Sequence, residues 1–158
     1  MIIPYGRLTH LDNNYRSIVL ACGCFDVLTV GHVRHLQAAR RLGAMLCVLI
    51  TADKYVAKGP DRPIFAQQLR AEVVDALGCV DYTIINLYPT AEDAILTLRP
   101  LVYAKGREYL LNSTEQLCSE IEALRRVGGR IEYTLDSEWH TTDVLAQLHN
   151  TKEHAHGR

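Results

Sequence analysis

The sequence predicts an α/β fold, a five-stranded parallel sheet with helices on both faces, and two observations carry that prediction. Apolar runs of strand length alternate five times with stretches in which apolar residues recur at helical spacing. The run from residue 45 to residue 50 is apolar throughout, which is typical of a strand covered on both faces. Strands that alternate with helices lie parallel and are joined by right-handed crossovers. A chain of 158 residues is the right size for one such domain.

The five predicted strands are residues 18–21, 45–50, 80–85, 101–104 and 130–135. The first predicted helix covers residues 31–42, and Gly43 follows it as a C-terminal stop. The second begins at residue 66 and carries Leu69, Val73 and Leu77 on one stripe. A third helix starts at the capping sequence of residues 90–93 and is terminated by Pro100. Two further helices are predicted after the caps at residues 113–116 and 141–143.

Two short segments are predicted to lie outside the α/β domain, which covers residues 17–149. Residues 1–16 mix a proline, a glycine and an Asn-Asn pair, and they are predicted to form an irregular lead-in. Residues 150–158 are polar and are predicted to be a disordered tail.

The composition excludes several function classes. Hydrophobic residues make up 48% of the chain, charged residues 22%, and the net charge is −1, so no overall field favours nucleic acid or a membrane surface. No apolar run approaches the roughly 20 residues that span a bilayer. The first residues lack the basic-then-apolar form of a secretion signal, so we expect a cytoplasmic protein. The five cysteines have no CxxC spacing and are predicted to be free thiols in a reducing compartment.

The stretch of residues 22–34 predicts a ligand site. It passes from the end of the first strand through a turn at Gly23 into the first helix, with Thr29 and His32 where the helix begins. Free N–H groups at a helix N-terminus bind anions, and polyphosphate is the first ligand to consider. Other polar residues follow the later strands, namely residues 53–58, Lys105, Thr141 and Thr142. Because the carboxyl ends of parallel strands meet at one edge, we expect all of them to converge on one crevice.

These residues carry a resemblance. Gly23-Cys24-Phe25-Asp26 followed by Thr29-Val30-Gly31-His32 resembles the signature of the nucleotidyltransferase superfamily with the (H/T)xGH motif, over residues 18–148. Residues 58–63, 69–70, 79–82, 98–100, 105–106 and 141–142 most resemble the heptose 1-phosphate adenylyltransferase branch. The resemblance implies a single Rossmann-like domain that joins a nucleoside triphosphate to a phosphorylated acceptor and releases pyrophosphate.

The resemblance also implies site roles. Thr29, His32 and Lys58 are the expected catalytic residues, with His32 stabilising the transition state and Lys58 closing over the phosphates. The expected nucleotide-binding residues are Cys22, Gly23, Cys24, Phe25, Gly31, Arg70, Lys105, Gly106, Thr141 and Thr142. Mg²⁺ is expected to arrive with the nucleoside triphosphate, without protein ligands of its own. A homodimer is implied, and the helix carrying Leu69 and the strand around Tyr82 are the surfaces that would pair.

Four positions depart from the heptose branch. Thr29 stands where that branch has histidine, Arg107 and Glu108 replace Gly-Asp, and His140 replaces a serine. Arg107 and His140 are therefore candidate acceptor contacts. The remaining histidines, including His35, are predicted to be surface residues, since they lack metal-ligand partners at suitable spacing.

Three functions remain open at this point. The first is adenylyl transfer to a sugar 1-phosphate. The second is transfer from CTP to a phosphorylated alcohol or a phosphonate. The third is a nucleotide-binding module without catalysis.

Overall fold

The computed structural model describes residues 1–11, 17–110 and 114–134. They contain one five-stranded sheet in which all paired strands are parallel, in the order β3-β2-β1-β4-β5. The strands are β1 (Ile18–Gly23), β2 (Met45–Thr51), β3 (Tyr82–Asn86), β4 (Val102–Gly106) and β5 (Arg130–Thr134). The predicted parallel sheet is confirmed, with β1 at its centre.

The strand order reverses between β1 and β4. The chain moves outward from β1 to β2 and β3, and then returns to the other side of β1 as β4 and β5. Leu20 of β1 pairs with Cys47 of β2 on one side and Tyr103 of β4 on the other. Ligands bind outside the carboxyl ends of the strands at such a reversal, which places the candidate site beyond Gly23 and Gly106.

Helices cover both faces of the sheet, as predicted. They are α1 (Val30–Arg40), α2 (Gln67–Asp75), α3 (Glu92–Leu98) and α4 (Glu115–Arg126). On one face Leu36 and Ala39 of α1 and Ala71 and Val74 of α2 pack on alternate strand residues such as Val48. On the other face, side chains of α3 and α4 pack on the remaining strand residues. Two hydrophobic cores therefore fix the sheet and the helices that begin at its carboxyl edge.

Local sequence signals account for the helix ends. Thr29 and Thr114 cap α1 and α4, and each accepts a hydrogen bond from the backbone N–H three residues later. Helix α3 ends at Arg99, whose φ of 51° is left-handed, immediately before Pro100. The structure thus confirms the proline-terminated third helix.

The predicted lead-in takes part in the fold over residues 1–11. Ile2 forms a parallel bridge with Thr83, which covers the outer edge of β3. Residues Tyr5–His10 form a 3-10 helix whose Leu8 is buried in the core beside α3. Residues 12–16, the predicted final helix and the predicted tail lie outside the described residues.

Two residues of the predicted stripe on helix α2 face outward, whereas the third, Leu77, packs against the core. Leu69 and Val73 are 50% and 51% exposed, whereas Ala71 and Val74 face the core. In the ranges that the structure describes, no helix combines the length and apolar composition needed to cross a membrane.

Candidate functional site

Two adjoining cavities open beyond the carboxyl ends of β1 and β4. The His32 cavity, of about 180 Å³, also contains Phe25, His35, Gly106 and Glu108. The Glu120 cavity, of about 250 Å³, also contains Thr51, Tyr55, residues 56–57, Pro89 and Gln116. Six residues line both cavities and form the wall between them: Cys22, Gly23, Cys24, Lys58, Lys105 and Tyr109. The structure therefore brings eight of the predicted site residues to the His32 cavity.

The turn after β1 brings the Phe25 ring against His32. Phe25 has a left-handed φ of 49°, an uncommon conformation for a residue with a side chain. Its ring lies so close to Gly23 that a Cβ on that glycine would meet the ring at 2.9 Å. The Phe25 and His32 rings contact edge to face, with centroids 5.4 Å apart. A glycine at position 23 is thus required for the ring that flanks the histidine.

Thr29 and His32 form a reciprocal capping arrangement at the start of α1. The Thr29 side chain accepts from the backbone N–H of His32, and the Thr29 backbone N–H donates to His32 Nδ1 at 3.0 Å. Because Nδ1 accepts this bond, Nε2 is the nitrogen that carries the hydrogen of a neutral ring. The histidine can therefore present a donor to the cavity that it lines.

Thr29 and Gly31 support the site from behind. Both residues are buried, and neither belongs to the residues that line the two cavities. The Thr29 hydroxyl lies 3.0 Å from His32 Nδ1, so its contact is with the histidine. In the structure this threonine therefore orients the imidazole.

Lys58 lies in the loop between β2 and α2, which we call the lysine loop. This loop is anchored at the end that leads into α2. The Asp26 carboxylate accepts hydrogen bonds from the backbone N–H groups of Ile64 and Phe65, at 2.7 and 3.0 Å, and from the Arg62 guanidinium. Burial alone would raise the pKa of Asp26, but these donors lower it below its ordinary value. The fourth residue of the Gly-Cys-Phe-Asp sequence thus ties the lysine loop to the turn after β1.

Arg70, an expected nucleotide-binding residue, is buried between the turn after β1 and α2. It is 1% exposed, and its guanidinium donates to the carbonyl oxygens of Phe65, Cys24 and Thr51. A fourth bond, of 2.7 Å, joins it to the Asp53 carboxylate. Because its donors face these acceptors inside the protein, Arg70 joins the turn after β1, the end of β2 and the lysine loop, and it lines neither cavity.

Lys105, at the end of β4, is a buried cation on the wall between the cavities. Its ammonium lies 3.1 Å from a carboxylate oxygen of Glu120. It also lies over the rings of Tyr103 and Tyr109, 4.6 and 4.7 Å from their centroids. Burial alone would lower the pKa of Lys105, but Glu120, Cys22 and Tyr109 raise it above its ordinary value. The lysine is therefore charged at neutral pH.

His35 is a correction to the sequence analysis, which predicted a surface residue. It is 8% exposed, and its Nδ1 lies 2.6 Å from the Thr134 hydroxyl at the end of β5. Burial lowers its pKa below the ordinary value, so the ring is neutral at neutral pH. Gly31, His35 and Ala39 recur every fourth residue on the buried side of α1, which is the signal that could have placed this histidine inward.

Cys22 and Cys24, the two thiols of the shared wall, are not ionised at neutral pH. Burial raises the pKa of Cys22 to about 11 and also raises that of Cys24. Thiolates are the reactive form of cysteine, so both residues act at neutral pH as small neutral groups. All five cysteines lie within the described residues, and each is a free thiol, as predicted.

The remaining predicted site residues are Arg107, His140, Thr141 and Thr142. Arg107 is exposed and lines neither cavity. His140, Thr141 and Thr142 lie outside the described residues. Over residues 1–11, 17–110 and 114–134, no group of three His, Cys, Asp or Glu side chains has the geometry to hold a metal ion.

Comparison with known proteins identifies the family. The cytidylyltransferase-like family model matches residues 20–151. The bifunctional protein HldE of Syntrophotalea carbinolica is 39% identical over 136 residues, which cover 84% of this chain and 27% of that protein. The HldE of Helicobacter pylori is 33% identical over 153 residues, 95% of this chain and 32% of that protein. The chain thus spans about a quarter to a third of the length of these curated relatives.

Solved structures share the fold. A lipopolysaccharide core biosynthesis protein from Thermoplasma volcanium aligns with a TM-score of 0.63 at 21% identity, covering 78% of this chain and 98% of that one. Pantothenate synthetase from Thermus thermophilus aligns with a TM-score of 0.58 at 16% identity, covering 84% and 60%. The match of the family model over most of the chain shows that it belongs to the cytidylyltransferase-like family of nucleotidyltransferases.

Proposed function

We propose that this chain transfers a nucleotidyl group from a nucleoside triphosphate to a phosphorylated acceptor, with adenylyl transfer to a sugar 1-phosphate, a heptose 1-phosphate above all, as its reaction. One observation carries the proposal: two adjoining cavities share a wall with two lysines, and the histidine at the start of α1 lines one of them. Two substrates that must meet at one phosphorus atom need such neighbouring sites. Relatives named HldE support the sugar phosphate.

The His32 cavity is our proposed nucleotide site. His32 at the start of α1 provides a donor for phosphate oxygens, and Lys58 and Lys105 provide positive charge on the wall. An oxygen of the acceptor phosphate forms a bond to the α-phosphorus, and the bond to the bridging oxygen breaks as pyrophosphate leaves with its electron pair. No protein nucleophile takes part. Catalysis then consists of positioning the phosphates and stabilising their negative charge.

The Glu120 cavity is our proposed acceptor site. It shares Lys58 and Lys105 with the nucleotide side, so an acceptor phosphate there lies beside the α-phosphate. The hydroxyl groups of Thr51 and Tyr55 and the amide of Gln116 line the rest of this cavity. Such groups hydrogen-bond the hydroxyls of a sugar, which favours a sugar phosphate over a simple alkyl phosphonate.

We expect Mg²⁺ to bind with the nucleotide. Mg²⁺ usually retains several waters and binds substrate phosphates, so a site whose described residues offer cations and few carboxylates fits a metal that the triphosphate carries in. The metal would neutralise charge on the phosphate oxygens. The proposed roles of His32, Lys58 and Lys105 are additional to it.

CTP is the second candidate nucleotide. The Glu108 carboxylate lies over Gly106 in the His32 cavity, where a Cβ on that glycine would meet it at 2.1 Å. A carboxylate accepts a hydrogen bond from an exocyclic amino group, and adenine and cytosine both carry one at the corresponding edge. This geometry suits ATP and CTP alike, so the choice of ATP rests on the HldE relatives.

A nucleotide and acceptor panel tests the proposal. Purified protein is incubated with Mg²⁺, pyrophosphatase and each of the four nucleoside triphosphates, with heptose 1-phosphate, glycerol 3-phosphate or a phosphonate, and phosphate release is measured. We expect release that requires both ATP and heptose 1-phosphate, and a loss of about a hundredfold or more in His32→Ala. Release with CTP and glycerol phosphate would select the second candidate. Nucleotide binding without release under any condition would identify a non-catalytic binding module.

A further inference from the structure

A buried carboxylate lies next to the shared wall and lines the Glu120 cavity. Glu120 projects from α4 into the core and is 1% exposed. Its carboxylate oxygens accept hydrogen bonds from the Tyr103 hydroxyl and the Ala91 backbone N–H, each at 2.9 Å, and contact the Lys105 ammonium at 3.1 Å. An ionised carboxylate accepts only, and this one is satisfied by two donors from β4 and one from the start of α3.

The ammonium that Glu120 holds faces the site. Lys105 is held by an ion pair on one side and by the rings of Tyr103 and Tyr109, and it lines both cavities. A lysine side chain has four rotatable bonds, so an unrestrained ammonium would sample many positions and prefer water. Here its position is fixed before any substrate arrives.

Stability alone does not account for this arrangement. A buried ion pair contributes little net stability, because removing both charges from water costs about as much as their attraction returns. Hydrophobic residues at positions 105 and 120 would fill the same space between α4 and the sheet. The pair instead places one positive charge on the wall between two cavities, where phosphates would meet.

We propose that Glu120 is a positioning residue, which holds the Lys105 ammonium at the boundary of the two cavities so that it contacts a phosphate oxygen of the reacting substrates. The inference rests on the proposed function and deepens it. Glu120 touches the lysine, and the lysine touches the substrates.

A matched pair of substitutions on one helix tests the inference. Glu120→Gln removes the buried charge, whereas Glu122→Gln makes the same change two residues later, where the side chain is 66% exposed. In the nucleotidyl transfer assay we expect kcat to fall about tenfold to a hundredfold in Glu120→Gln, as for other partners that orient a site group. Glu122→Gln should retain the rate of the unmodified protein.

The pH profile separates positioning from structural support. Besides Glu120, the groups around the Lys105 ammonium are Cys22 on β1, Tyr103 on β4, Tyr109 after β4 and His35 on α1. Without Glu120 the lysine stays buried but loses a partner that favours its charged form, so its pKa falls. We expect the alkaline decline of kcat to move to lower pH in Glu120→Gln and to return in Glu120→Asp. A merely structural loss would lower the rate without moving this decline.

A second measurement covers the case in which Glu120→Gln does not fold. In the unmodified protein labelled with ¹⁵N-lysine, the Lys105 ammonium signal is assigned by its absence in Lys105→Met. Addition of ATP with Mg²⁺ and heptose 1-phosphate should shift that signal together with the ring signals of His32. A shift of both supports the inference.

Two results would overturn the inference while the proposed function stands. One is a folded Glu120→Gln protein whose kcat and alkaline decline match those of Glu122→Gln. The other is a shift of the His32 signals without any change in the Lys105 signal. If the unmodified protein releases no pyrophosphate with any nucleotide and acceptor and its His32 signals do not respond to nucleotide, the proposed function itself fails, and the inference fails with it.

Discussion

Thr29 orients the histidine that the proposed reaction depends on. Its hydroxyl accepts from the His32 backbone and contacts His32 Nδ1, while its own N–H donates to the same nitrogen. Position 29 carries a histidine in the heptose branch that the sequence resembles. The structure explains how threonine serves here: it supplies a helix cap and fixes which face of the imidazole meets the cavity.

Replacing Thr29 tests that role. Thr29→Val keeps the shape of the side chain and removes the hydroxyl, so we expect a loss of about 1 kcal/mol in the free energy of unfolding and a fall of about tenfold in kcat. Thr29→Ser retains the hydroxyl and should resemble the unmodified protein in both. Chemical denaturation and the pyrophosphate-release assay provide the measurements. Equal activity in the valine and serine variants would show that the backbone N–H of residue 29 orients His32 unaided.

Single buried polar residues were the hardest part of the site to predict. The burial of His35 and Glu120 was not predicted, because a polar residue between apolar ones usually faces solvent. The type of side chain also does not indicate which residue it will contact. Spacing did contain a signal, since Glu120 lies three residues after Leu117 and four before Leu124, both of which are buried in the core. The partners Thr134 and Lys105 come from other strands, so only the folded chain reveals them.

At the scale of elements, the lysine loop is a segment attached at one end. Asp26 holds Arg62, Ile64 and Phe65, and Arg70 holds Phe65, so the loop is fixed where it enters α2. Lys58 lies further from this anchor, beside Gly59 with its φ of 114°. A fixed base with a glycine near the lysine suits a loop that closes over bound phosphates.

Breaking the anchor should loosen the loop. Asp26→Asn leaves the Arg62 guanidinium without its charged partner, so we expect a loss of about 3 kcal/mol in the free energy of unfolding and faster cleavage by trypsin at the loop. Asp61→Asn, an exposed change in the same loop, is the control and should alter neither. Denaturation and limited proteolysis measure the two effects. Unchanged cleavage in Asp26→Asn would show that Arg70 anchors the loop by itself.

The same anchor makes a prediction about pH. Because the pKa of Asp26 is lower in the folded protein than its ordinary value of 3.8, its contribution to stability is present above that value and is lost as the pH falls through the lowered one. The stability difference between the unmodified protein and Asp26→Asn should therefore shrink below about pH 3.8. A difference that stays constant in denaturation curves down to pH 2 would assign the effect to packing.

The elements themselves were largely readable from the sequence. The continuous apolar run of residues 45–50 located β2, and Gly43 and Pro100 marked the ends of α1 and α3, because strand burial and helix termination are local properties. At their carboxyl ends, β1, β2 and β4 extend beyond the predicted segments, to Gly23, Thr51 and Gly106. Backbone pairing continues there although the side chains are no longer apolar. The order of the strands within the sheet was not predicted, because it depends on pairing between strands that are distant along the chain.

At the scale of the whole molecule, the predicted homodimer can be matched to one surface. Ile2 covers the outer edge of β3, so the strand around Tyr82 is paired within the chain. The outer face of α2 and the residues before it remain exposed, with Ile64, Phe65, Leu69 and Val73 each about half accessible. A contiguous apolar patch of this kind is typical of a protein interface, and we expect two copies to bury it.

Charge placed on this face should separate the two copies. Leu69→Glu together with Val73→Glu would bury two carboxylates in the interface, so we expect a dimer in the unmodified protein and a monomer in the double variant, with little loss of stability because both side chains already face solvent. Leu87→Glu, on an equally exposed apolar residue after β3, is the matched control and should remain a dimer. Sedimentation equilibrium over a range of concentrations measures the association. A double variant that remains dimeric would move the interface away from α2, and a monomeric unmodified protein would exclude the homodimer altogether.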